Sequence, residues 1–199
     1  MNTLTTPQMP TSLDPEALIR TYVRAKDENR PHLMPHAFAA DATLQMTVKS
    51  EAISFPARSE GLAAIADVLV RRFGQTYDNV YTFCLTNSRP ARDTTRYECD
   101  WLVGMSNKVD GNVRVGCGSY VWTFTLQERG WRVQTLDIVI DAMEVLPPDT
   151  TQAIFDDWLG QLAYPWNTAL QALAQMPALV KLEPVRAYLH RRANDASDL

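Results

Sequence analysis

The chain has 199 residues, 46% hydrophobic and 21% charged, proportions of a folded globular protein that argue against wholesale disorder. A formal net charge of −4 opposes non-specific nucleic-acid binding, which needs clustered Lys and Arg against phosphates. No apolar run approaches the ~20 residues of a spanning helix, so no membrane partner is expected, and the first residues lack the basic-then-apolar pattern of a secretory signal.

Residues 1–12 read as a flexible tail. The first helix then starts with Asp14 as N-cap and Pro15 at its first position, and Leu18, Ile19, Tyr22 and Val23 form its apolar face. A short second helix is predicted around Pro31–Phe38. Ala42–Lys49 alternates as a strand with Ala42, Leu44, Met46 and Val48 on one side. Ser59 is expected to cap a third helix with the stripe Leu62, Ile65, Leu69 and Phe73, and Gly74 to end it.

From Tyr77 to Met143 the pattern changes to long strands: Tyr77 into Thr86, Thr94–Ser106, Val113–Gln127 and Trp131–Met143. Asp110-Gly111 and Arg129-Gly130 supply turn chemistry for two-residue hairpins. Helices followed by a long antiparallel meander imply an α+β fold, a curved sheet wrapped over helices and enclosing a pocket. Beyond Pro147-Pro148, Asp149 with Gln152 resembles a capping box, and Phe155, Trp158, Leu159 and Leu162 make another apolar stripe. The expected organisation is therefore a domain over 13–145 and a helical extension over 146–199.

Cys84, Cys99 and Cys117 all fall in predicted strands. Their odd number and lack of metal-ligand spacing favour buried, reduced thiols in a cytoplasmic protein. His32 and His36 lie on the second helix and His190 in the tail, with no ligand-like spacing to any acid. There is no Gly-rich phosphate loop, nucleophile elbow or dinucleotide fingerprint, so neither a metal nor a cofactor is expected.

Three segments in order are Tyr22-Val-Arg-Ala-Lys-Asp27, Phe38-Ala-Ala-Asp41-Ala-Thr and Gly130-Trp131-Arg132-Val133. With the element order, they make the chain similar to the NTF2-like superfamily and, within it, the SnoaL-like group. The resemblance implies a cone-shaped sheet around N-terminal helices and a homodimer. In dehydratase, isomerase and cyclase members an acidic residue faces the pocket beside a tyrosine, and the similar residues here are Asp27 and Tyr22. A carboxylate in an apolar cup would be pushed toward the range of a general base. Dehydratase-like members also carry a strand histidine, whereas Val80–Asn87 offers Tyr81, Thr82, Phe83 and Cys84.

Asp137 has the parity of Trp131, Val133 and Val139, so it becomes a second pocket carboxylate if that face lies inside. Arg96 and Glu98 share a strand face, and with Asp137 they are similar to the Asp-Arg-Asp set of limonene-type epoxide hydrolases, with Glu98 in place of an Asp. The simpler reading is a solvated ion pair. Phe55, Met46, Trp101, Tyr120 and Trp122 are candidates to line a site for a flat apolar ligand.

Two functions follow. One is a cofactor-independent isomerase, cyclase or dehydratase acting on a hydrophobic small molecule, with Asp27 as base, Tyr22 as oxyanion donor and Asp137 as orienting or partner acid. The other is a non-catalytic ligand-binding or dimerisation module in which Trp158, Leu159, Leu162 and Trp166 form a lid or an interface.

Overall fold

Asp14 begins helix α1 (Pro15–Asp27) as its sequence predicts, its side chain accepting from the Ala17 backbone N–H at 3.0 Å. The computed structural model describes residues 13–195, so the tail expected over residues 1–12 lies outside the described residues. A turn of helix (Pro31–Leu33) and α2 (Met34–Ala37) lead into β1 (Phe38–Val48), and a loop connects it to the short β2 (Arg58–Glu60). Helix α3 (Leu62–Ala66) runs on through a π-helical stretch (Asp67–Arg72) into α4 (Phe73–Thr76).

Two local expectations fail here. The N-cap of α3 is Gly61, at φ +83°, while Ser59 is buried in β2. Gly74 lies within α4 rather than ending it. A Cβ there would meet the Asn29 side chain at 2.5 Å, so the glycine makes room for the turn leaving α1.

The predicted strands follow as β3 (Tyr77–Leu85), β4 (Arg96–Asn107), β5 (Val113–Gln127) and β6 (Gly130–Leu146). The β5–β6 loop has two residues, Glu128 and Arg129, with Gly130 at φ +103°. The β4–β5 turn is longer than predicted: Asn107 faces Asn112, and Gly111 takes φ +70° within the four residues between.

After β6 the chain forms a helical turn at Pro148–Thr150, where no side chain caps the start, contrary to the capping box expected at Asp149. A short β7 (Trp166–Asn167), α5 (Ala169–Ala174) and α6 (Glu183–Asp195) complete the extension. The sheet is seven-stranded, ordered β2-β1-β6-β5-β4-β3-β7, curved and unclosed, with β1 parallel to β6. Among the described residues no helix is long and apolar enough to cross a membrane.

Alternation along the strands divides the molecule into two cores. On the inner face Trp101, Val103, Tyr120 and Trp122 pack against α1 and the α3–α4 helix. On the outer face Phe83, Leu102, Val115 and Cys117 pack against Phe155, Trp158, Leu159 and Leu189 of the extension. The three cysteines are free and buried.

Candidate functional site

Tyr22 and Lys26 stand one helical turn apart on α1, so both point from the same side of the helix into the inner face. With Met46 of β1, Trp101 of β4, Tyr120 of β5 and Phe55 of the β1–β2 loop they line a cavity of about 40 Å³. That holds about three water molecules at ~10–15 Å³ each, far below the ~300–1,000 Å³ of ordinary ligand sites. The aromatic side chains fill most of the space expected for a flat ligand. Trp122 is fully buried against Tyr22, ring centroids 5.4 Å apart, but does not line the cavity.

The walls are apolar, yet they carry donors without acceptors. The Tyr22 hydroxyl and the Trp101 indole N–H are buried and unpaired. Tyr120 lies near enough to influence the Tyr22 hydroxyl, but the geometry closes no hydrogen bond between them. Burial holds the Tyr22 phenol above its ordinary range, so it stays a neutral donor. Lys26 is the charged side chain of the cavity wall. Its ammonium donates to Thr82 Oγ1 at 2.7 Å and lies 4.4 Å from the centre of the Phe73 ring. Burial lowers its pKa, with the neighbouring Asp27 opposing that shift.

Asp27 does not sit in an apolar cup. It closes α1 beside the cavity rather than on its wall. One carboxylate oxygen accepts from the Thr82 hydroxyl at 2.7 Å and the Lys26 ammonium at 3.3 Å. The other accepts from the Thr82 backbone N–H at 2.7 Å and the Tyr164 hydroxyl at 2.8 Å. The side chains of Lys26 and Asp27 are only 9% and 3% exposed, so this is a buried ion pair with its lone pairs satisfied, the condition under which such a pair is tolerated. Thr82 stands within the strand segment where the resemblance expects a histidine.

Asp137 lies on the other side of the sheet. Trp131 and Val133 pack toward the inner core, as the parity argument supposed, but the β5–β6 register shifts between Thr123 and Phe124 and gives β6 an extra residue at Gln134. That bulge flips the alternation, so Leu136 and Ile138 face inward and Asp137 outward. Its neighbours in register are Gln45 on β1 and Val121 on β5, and one of its carboxylate oxygens is buried without a partner. Glu98 is separated from it by Val121, two strand spacings or roughly 10 Å away. Arg96 and Glu98 form an exposed ion pair with each other. The epoxide-hydrolase-like set is therefore not assembled.

The structure thus brings Tyr22, Met46, Phe55, Trp101 and Tyr120 to one cavity, and leaves Trp122, Asp27 and Asp137 off its wall. Trp158, Leu159, Leu162 and Trp166 do not line it either. Sequence reasoning missed three partners. Lys26 was legible, because it follows Tyr22 by four residues on the same helical stripe. Thr82 carried only the weak signal of standing in a strand. Tyr164 had none, since it reaches Asp27 across 137 residues. His32, His36 and His190 are exposed, and among the described residues no group of three or more His, Cys, Asp or Glu is placed to hold a metal ion.

With this geometry in place, a sequence profile of the SnoaL-like domain matches residues 16–137. Among solved structures, an NTF2-like superfamily protein from Salmonella enterica is 16% identical, covering 63% of this chain and 87% of its own, with a TM-score of 0.52. LinA is 12% identical over 65% of this chain and 84% of its own, with a TM-score of 0.53. A LinA-type3 hexachlorocyclohexane dehydrochlorinase from Novosphingobium barchaimii is also 12% identical, over 65% and 85%, with a TM-score of 0.50. At these identities the likeness is one of fold. A search of curated proteins found no match.

Proposed function

Because the chain belongs to the SnoaL-like domain family, we propose that its cavity binds a small, mainly apolar molecule through a carbonyl-type oxygen and moves a proton on it. The observation that carries this reading is a pair of unpaired donors on side chains that line the cavity, the Tyr22 hydroxyl and the Trp101 N–H, lying just behind its apolar surface beside Lys26. Buried polar groups in folded proteins are almost always paired, so unpaired ones clustered at a cavity point to an acceptor that arrives with a ligand. A fold neighbour named as a hexachlorocyclohexane dehydrochlorinase acts, by that name, on a molecule of this apolar kind.

In the proposed step the ligand oxygen lies against Tyr22 and Trp101. The Lys26 ammonium, whose pKa burial lowers, first gives a proton to solvent. The neutral amine then takes the proton alpha to the carbonyl, and the C–H electron pair moves onto the oxygen, where the two donors stabilise the enolate. Where a C=C bond of the ligand is conjugated with the enolate, the ammonium so formed returns its proton at the γ carbon. Asp27 and Thr82 hold Nζ in place and offset the charge it gains, so Asp27 serves as a positioning carboxylate. A second reading, ligand binding without turnover, is favoured by the full occupation of Asp27 and by Thr82 standing in place of a histidine.

Two measurements separate the readings. Absorbance titration with 4-nitrophenol is expected to show binding of the phenolate, and Lys26→Met should weaken it by about tenfold or more. Equal binding by wild type and the variant would overturn the assignment of the cavity donors. Proton NMR of cyclohex-2-enone in D₂O then tests chemistry. Exchange faster than in buffer and lost in Lys26→Met supports proton transfer, whereas binding without exchange leaves the ligand-binding module.

A further inference from the structure

The β1–β2 loop that places Phe55 on the cavity wall also forms one side of a second space. Outside Ile53 and Phe55 lies a groove of about 340 Å³, shared between this loop and Val68, Arg72, Phe73 and Tyr77. Ile53, Phe55 and Phe73 line both the groove and the cavity. The interior is therefore separated from the groove by the thickness of a few side chains, two of which belong to a loop without regular structure.

That loop is fastened only at its ends. Lys49 N–H donates to the Ile140 carbonyl at 2.9 Å, the Ser50 hydroxyl to the Met143 carbonyl at 3.3 Å, and Arg114 to the Ala52 carbonyl. At the far end Met46 N–H donates to the Ala57 carbonyl at 2.9 Å. Between them, Ile53, Ser54, Phe55 and Pro56 make no hydrogen bond among the described residues. Ile53 and Phe55 are half-buried, packed against the inner core. Half-buried side chains and no hydrogen bonds of their own are what a locally opening segment needs.

We infer that cavity and groove are the two ends of one ligand channel, interrupted at rest by Ile53 and Phe55, and that Phe55 sets the length of the ligand admitted. This rests on the reading of the cavity as a ligand site and names the class: an elongated apolar molecule with its oxygen at the buried end and its tail in the groove. Joined, the two spaces reach the ~300–1,000 Å³ of ordinary ligand sites, which the closed cavity does not. The wall of the groove sets apolar side chains beside Ser54 and Thr76, and its cation Arg72 is already held by Asp67 at 2.6 Å, so the tail needs no charge.

The test uses the full chain and two readouts. Val103 lines the cavity, so Val103→Cys reports access through its rate of labelling by methyl methanethiosulfonate, with wild type as the background of the native thiols. Adding Phe55→Ala should raise that rate by about tenfold or more, and Phe55→Trp should lower it, as a change in the open fraction requires. Unchanged rates in both overturn the channel. The second readout is affinity for 4-phenylphenol and phenol by tryptophan fluorescence. Phe55→Ala should tighten the longer ligand about tenfold and the shorter by less than about threefold. Equal tightening of both overturns the length limit set by Phe55. Faster labelling with no phenol bound by any variant overturns the ligand reading of the cavity, and the ligand class with it.

Discussion

Both faces of the sheet bury aromatic side chains, the inner face more of them, and treat their polar atoms differently. On the outer face Trp158 is fully buried and its indole N–H donates to the Ala172 carbonyl at 2.8 Å. On the inner face Trp101, Trp122 and Trp166 are buried with their N–H groups unpaired, as is the Tyr22 hydroxyl. The outer core is covered by the chain's own extension. The inner core leaves a small opening, with the unpaired donors of Tyr22 and Trp101 on two of the side chains that line it.

The largest effect that tests this division is on the outer face. Trp158→Ala removes a fully buried side chain from the extension core and should cost about 3–5 kcal/mol in urea unfolding. A loss below about 1 kcal/mol would show that the extension is not part of the cooperative unit.

A milder pair compares like with like. Trp158→Phe leaves the Ala172 carbonyl without its donor and should cost about 1–3 kcal/mol. Trp101→Phe removes a donor that had no partner, so its cost should stay within about 1.5 kcal/mol, as for a near-volume swap, while 4-nitrophenol binding weakens. Equal losses in the two variants would mean that the unpaired N–H of Trp101 is no signature of a site.

The outer and inner faces were also unequally legible. Strand positions were readable because alternation and turn residues are local signals, and Ala42, Leu44 and Met46 bury as their spacing requires. Tyr22 facing inward followed from the stripe of α1. Asp137 failed because alternation is informative only while the strand stays regular. One extra residue at Gln134 reverses the side chains from there to a second bulge at Asp141, and the residues around it do not announce the first. The Asp27 network failed for another reason. A carboxylate at a helix end can be counted from sequence, but its donors come from β3 and from Tyr164 in the extension, and contacts of that separation leave no periodic trace.

The smallest expected effect concerns the seam where the extension meets the sheet. Asp100 of β4 accepts from the Tyr188 hydroxyl at 2.7 Å and pairs with Arg192 at 3.2 Å, tying α6 to the outer face. Burial holds its pKa above the ordinary aspartate value, with Tyr188 and Arg192 pulling the other way. A carboxyl whose pKa is higher folded than unfolded binds its proton more tightly in the native state. Its contribution to stability is then complete below the unfolded value, ~3.9, and is lost as pH rises through the folded one. Asp100→Asn cannot ionise, so its unfolding free energy should fall less than that of wild type as pH rises from ~4 through that window. Loss of the partly exposed Arg192 pair offsets the variant by no more than about 1 kcal/mol, and because Arg192 stays charged throughout this range, the difference in slope identifies the carboxyl. Parallel curves would mean that Asp100 titrates alike in both states. The outer seam would then be as indifferent to pH as its apolar core, and the two faces would differ in their unpaired donors alone.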